Sequence, residues 1–118
     1  MKIQILGTEY DVIVKKYDED GEFKRLSCDG YCDSHCKLIV VCNMATYPGW
    51  EFETAEKTIL AQKDTLRHEI VHAFLNESGL QHSTANYTGG WAKFEEMIDW
   101  IALQSPKMHK AFLDAGAL

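Results

Sequence analysis

The sequence predicts an α+β fold: a small, mostly antiparallel N-terminal sheet followed by helices. Three observations carry that expectation. Short runs rich in β-branched residues, broken by turn residues, fill the first third of the chain. Two longer segments with helical apolar periodicity fill the second half. The strands all precede the long helices, which is the α+β order and not a βαβ alternation. At 118 residues, the chain 1–118 is expected to form one domain around a single modest core.

Residues 2–6 and 10–17 read as two short strands around Gly7-Thr8. In the second, Val12 and Val14 alternate with Ile13 and Lys15. Asp18-Glu19-Asp20-Gly21 is turn chemistry, and a third strand is expected over 24–28. Asp29-Gly30 and Asp33-Ser34 supply further turns before residues 37–42 (Lys-Leu-Ile-Val-Val-Cys), which should be a buried strand. Pro48-Gly49 makes 44–50 a loop. Thr54 is placed to cap a helix over 57–78 and Gly79 to end it. Leu66, Ile70, Val71, Phe74 and Leu75 cover most of that helix's circumference, the pattern of a buried helix. After a polar loop over 81–90, a second helix is expected at 91–104, stopped by Pro106, and a short third at 107–115.

The chain is 46% apolar and 25% charged, an ordinary water-soluble mixture. A net charge of −6 with no Lys/Arg cluster argues against a nucleic-acid surface. No apolar run reaches transmembrane length, so no membrane partner is expected. The start, Met1-Lys2-Ile3-Gln4-Ile5-Leu6-Gly7, is too short and polar for a signal peptide. The expected location is therefore cytoplasmic, and the four cysteines are expected to be free thiols.

His68-Glu69-Ile70-Val71-His72 reads H-E-x-x-H within the first long helix. Residues four apart share a helix face, so His68 and His72 aim two imidazoles at one metal ion, expected to be Zn2+. Glu69 falls beside the coordination position left open, where its carboxylate can take a proton from an activated water. A catalytic zinc takes three protein ligands. No third His extends the motif, because Leu75 and Ser78 stand where it would lie. Glu95, Glu96, Asp99 and His82 remain.

Trp91, Glu95, Ile98 and Ala102 follow i, i+4, i+7 and i+11, which puts Glu95 in a core-facing stripe. Glu96 lies about 100° round the helix, toward Lys93 and Leu103. A carboxylate in an apolar face needs a partner or a metal, so Glu95 is the expected third ligand. Asp99, one turn on, is expected to accept a hydrogen bond from the distal nitrogen of a ligand His. The plainer alternatives are satisfied core histidines, solvated glutamates, and an Asp99 paired with Lys93 or Arg67. Cys28, Cys32, Cys36 and Cys42, with His35, leave two readings open, core thiols or a second, structural zinc. They do not form paired C-x-x-C knuckles.

Residues 66–75 (Leu-Arg-His-Glu-Ile-Val-His-Ala-Phe-Leu), a loop, and Glu95-Glu96-Met97-Ile98-Asp99-Trp100-Ile101-Ala102 together resemble the small phage- and prophage-associated zinc peptidases of the ImmA/IrrE type. These are minimal gluzincins, in which H-E-x-x-H on one helix is completed by a Glu on the next. Glu95-x-x-x-Asp99 is similar to the thermolysin-like pairing of ligand and supporting acid. Asp29-Gly30-Tyr31-Cys32-Asp33 is a weaker likeness to phage members. The chain departs from the family pattern at Ile98-Asp99, where Ala-Asn is typical, and at Gln104-Ser105-Pro106. The resemblance implies a zincin-like fold and a peptidase acting on a repressor or another regulatory protein.

The function expected is thus zinc-dependent hydrolysis of a protein or peptide. Zinc is held by His68, His72 and Glu95, Glu69 is the general base, and Asp99 is the supporting acid. The peptide is expected along the edge of the 37–42 strand or its neighbour, by strand addition. His82, Tyr87 and His109 are candidates for a second oxyanion donor. Two alternatives stand beside this reading. One is a catalytically silent zincin-like domain whose structural zinc supports protein binding, and the other is an enzyme with His82 as third ligand.

Overall fold

A computed structural model describes residues 1–83 and 90–118. Four strands form one mixed sheet in the order β1-β2-β4-β3. β1 (Lys2–Ile5) and β2 (Thr8–Lys15) are an antiparallel hairpin. Its turn, Leu6-Gly7, has positive φ at both residues, the two-residue geometry that matches the twist of the flanking strands.

The next segment differs from the expected strand. Residues 22–26 are a short helix, α1 (Glu22–Leu26). The Asp20 carboxylate accepts the Glu22 N–H, Ser27 closes the helix in the left-handed region, and fully buried Phe23 anchors it. Asp29-Gly30 is likewise not a turn. Gly30 opens β3 (Gly30–Asp33), antiparallel to β4 (Leu38–Cys42).

β4 runs parallel to β2, because the connection between them passes through α1 and β3 before returning. The sheet is therefore mixed. Being central, β4 is buried on both faces, which explains its unbroken apolar run. Ile39 and Val41 join Ile5, Tyr10 and Val12 in the core under the long helix. Val40 and Cys42 join Phe23 and Met44 on the opposite face.

That long helix is α2 (Ala55–Glu77), started by Thr54, whose hydroxyl accepts the Lys57 N–H, and followed by Gly79 at φ +80°. Its buried residues are Thr58, Thr65, Glu69 and Ala73, not the large apolar set the sequence suggests, and Phe74 is exposed. Small and polar side chains let α2 sit close to β3 and β4. A Cβ on Gly30 would stand only 2.6 Å from the Thr65 methyl. At its far end, Glu77 accepts hydrogen bonds from Thr8 Oγ1 at 3.1 Å and Tyr10 Oη at 2.7 Å, and pairs with Lys37, tying helix to sheet.

A single helical turn, α3 (Leu80–Ser83), follows. Trp91–Lys93 form a 3-10 turn that docks through fully buried Ala92. It leads into α4 (Glu95–Asp114), one continuous helix that joins the greater part of the two expected at 91–104 and 107–115, residues 91–94 lying before it. Pro106 does not stop α4, because the Ala102 carbonyl it would leave unpaired accepts Arg67 Nε at 2.8 Å. No helix among the described residues is long and apolar enough to cross a membrane.

Candidate metal centre

α2 supplies two imidazoles one turn apart, and the first turn of α4 brings a carboxylate to meet them. His68 Nε2 lies 3.1 Å from His72 Nε2 and 2.9 Å from Glu95 Oε2, and His72 Nε2 lies 3.3 Å from Glu95 Oε1. His68, His72 and Glu95 together can hold a metal ion. The spacing suits one: donors bound at about 2.0–2.1 Å around a tetrahedral ion stand roughly 3.3 Å apart.

The chemistry of the donor set points the same way. His68 Nδ1 is 2.6 Å from Asp99 Oδ1, so an Nδ1–H donates to that carboxylate and the Nε2 lone pair faces His72 and Glu95. Burial holds His72 below the ordinary imidazole pKa, favouring the neutral form that ligates. Two lone pairs and a carboxylate oxygen facing one another repel unless a cation or a proton sits between them.

Glu69 lies against this group. It is 6% exposed, and among the described residues no hydrogen bond or ion pair holds its carboxylate. Burial raises its pKa to about 7, with the His68 charge opposing and the Glu95 carboxylate adding to the shift. A mostly buried side chain whose carboxylate opens, with no fixed partner among those residues, onto a cleft of about 750 Å3 also lined by His68, His72 and Glu95 is free to exchange a proton with whatever enters. Behind it, Thr65 Oγ1 donates to Asp29 Oδ2 at 2.9 Å and fixes the helix to the segment before β3.

The structure thus brings together His68, Glu69, His72, Glu95 and Asp99. The expected burial of Glu95 is corrected: Ile98 and Ala102 do face the core, but Trp91 lies outside α4 and the Glu95 side chain is 65% exposed at the cleft rim. Asp99 pairs with His68 and not with Arg67, whose guanidinium goes to Asp64 and the Ala102 carbonyl. His82 and His109 are exposed and do not line the cleft, and His82 is not in the metal-holding group. Tyr87 falls outside the described residues. All four cysteines are free thiols. Cys28 and Cys32 line the cleft, and none is in a metal-holding group among the described residues.

The 37–42 strand is not an edge, since β4 lies between β2 and β3. Its neighbour β3 is a terminal strand of the sheet among the described residues, and Gly30, Tyr31 and Cys32 line the cleft. The sequence reading missed Gly30, Thr65 and Arg67. Each acts through contacts with distant chain, and only the oddity of a helix running through Pro106 hints at one of them.

Among known proteins, no family model, curated protein or solved structure matches the chain.

Proposed function

We propose that the chain is a zincin-like metallopeptidase that hydrolyses a peptide bond of a protein substrate, with zinc as its metal. The observation that carries this is the meeting of His68, His72 and Glu95 beside a buried Glu69. A divalent cation held by these donors supplies a Lewis acid that polarises the scissile carbonyl and acidifies water. Glu69 takes the proton from the attacking water and delivers it to the leaving amine nitrogen. Asp99 keeps the His68 proton on Nδ1, so that Nε2 is available as a donor. β3 offers its open edge beside the cleft for an extended peptide.

Glu69→Gln preserves shape and removes the base. It should retain zinc and lose roughly a hundred- to ten-thousand-fold in hydrolysis of a peptide library. Glu95→Gln should instead release the metal, and Glu96→Gln should do neither, since Glu96 is outside the metal-holding group. Purified protein that neither contains nor takes up zinc would refute the reading. Tight zinc binding with no hydrolysis, in wild type and Glu69→Gln alike, would identify a binding module instead.

A further inference from the structure

We infer that Arg67 is a positioning residue for the metal centre, latching α4 to α2 through the main-chain carbonyl that Pro106 leaves open. A proline inside a helix has no N–H for the carbonyl four residues back. For Pro106 that carbonyl belongs to Ala102, which is 2% exposed. A buried carbonyl without a donor is costly, and helices ordinarily avoid it by ending or kinking. Here the donor comes from another helix. Arg67 Nε reaches the Ala102 oxygen at 2.8 Å, with Ser105 Oγ a weaker second donor at 3.5 Å.

The guanidinium is oriented for the task. Its Nη2 pairs with Asp64, one turn earlier on α2, which leaves Nε directed across the helix interface. A charged donor on a carbonyl that lacks the N–H of Pro106 is among the stronger hydrogen bonds. Its location sets what it does. Arg67 is adjacent to His68, while Ala102 is seven residues after Glu95 and three after Asp99, on the same side of α4. Fixing the Ala102 carbonyl against Arg67 fixes where α4 sits along α2. Glu95 and Asp99 are more than half exposed, with side chains 65% and 60% accessible, so their own packing holds them poorly. The latch supplies the register that brings them to His68 and His72.

The inference rests on the metallopeptidase reading, and a double-variant cycle tests both separately. Arg67→Met keeps the side-chain stem and removes the donors, and Pro106→Ala restores the N–H that the Ala102 carbonyl lacks. Zinc affinity is measured by chelator competition far below Tm, where general destabilisation does not move it. Arg67→Met should weaken zinc about tenfold in the wild-type background, the lower end of the usual effect of residues that orient ligands. Combined with Pro106→Ala it should weaken zinc by a similar factor, because the restored main-chain N–H at position 106 satisfies the carbonyl within α4 without tying α4 to α2. Tm of metal-free protein should instead be non-additive, the Arg67→Met loss shrinking once that N–H is restored. Should Arg67→Met fold poorly, Arg67→Lys, whose one nitrogen replaces the two that reach Asp64 and Ala102 separately, carries the same comparison. A zinc affinity unchanged by Arg67→Met, a zinc loss that disappears in the Pro106→Ala background, or an equal Tm loss in both backgrounds would overturn the inference. A wild type with no zinc affinity would sink the metallopeptidase reading, while the Tm cycle would still uphold or overturn the latch itself.

Discussion

Replacing Gly30 with alanine should destabilise the protein by about 2 kcal/mol, and one methyl group should account for most of it. The added Cβ would stand 2.6 Å from Thr65 Cγ2, 3.1 Å from the Val40 carbonyl oxygen and 3.3 Å from Glu69 Cγ. The Val40 oxygen is main chain of the central strand and cannot retreat. The Thr65 methyl cannot rotate freely either, because the single Oγ1–H is directed at Asp29 Oδ2 at 2.9 Å, with the Ala61 carbonyl as a second acceptor at 3.1 Å. Relief requires α2 to lift off the sheet or Thr65 to abandon Asp29. Overpacking of this kind costs ~2 kcal/mol and the lost hydrogen bond ~1 kcal/mol, while alanine's stiffer unfolded chain returns ~0.5–1 kcal/mol. With an unfolding entropy of ~2.1 cal/mol/K per residue, the net loss lowers Tm by ~8 °C. Thermal unfolding followed by circular dichroism, at fixed metal content, measures this. Thr65→Ser supplies the control, since serine keeps the hydroxyl and lacks the offending methyl. Gly30→Ala combined with Thr65→Ser should recover most of the lost Tm. A Gly30→Ala protein as stable as wild type, or one that Thr65→Ser fails to rescue, would refute the close contact between α2 and β3.

Two further outcomes follow from other parts of the structure. Glu77 is held below the ordinary carboxylate range, first by the hydrogen bond from Lys37 and then by that from Tyr10. A depressed carboxylate stabilises the fold above its unfolded pKa and loses that contribution as pH falls through its folded value. The Tm difference between wild type and Glu77→Gln should therefore shrink between about pH 5 and pH 3, and a difference constant across that range would show that the Lys37–Glu77 clamp contributes nothing. Cys36 is the exposed thiol, whereas Cys42 is buried and burial pushes Cys32 up to about 12. A thiol reagent should modify Cys36 first in native protein, and all four thiols should react on denaturation. A fast native phase that survives Cys36→Ser would contradict this ordering.

Local signals make α2 and β4 legible. Thr54, Gly79 and the helical period belong to the helix itself, and Leu38–Cys42 is a strand that both faces of a sheet require. The α1 segment reads as a strand because five residues with one apolar anchor suit either form, and only the burial of Phe23 decides. β3 is hidden because Asp29-Gly30 and Asp33-Ser34 look like turns. Its extended form depends on pairing with β4, and its glycine is required by a helix 35 residues away at Thr65. For the site, helical phase places Glu95 and not Glu96 with the histidines, although Glu95 meets them from the solvent-exposed rim and not from the core. The continuity of α4 cannot be read from its own residues, because the donor that makes Pro106 tolerable lies on another helix.

β3 is a terminal strand of only four residues, bracketed by Asp29 and Asp33. An open strand edge is a hazard, since it will accept a neighbouring molecule's edge as readily as anything else. Two carboxylates at its ends make two copies of that edge repel, and its shortness gives a second copy little ladder to hold. The same shortness sets a ruler. Four residues span about 13 Å, so an extended chain laid there exchanges only a few main-chain hydrogen bonds with the strand. Under the proposed function, such a grip would discriminate by availability: a segment already folded into its own sheet or helix has no free main chain to offer, whereas a loose loop or tail does. On the proposed peptidase reading, it would also be weak enough for two severed halves, each keeping part of the ladder, to separate quickly.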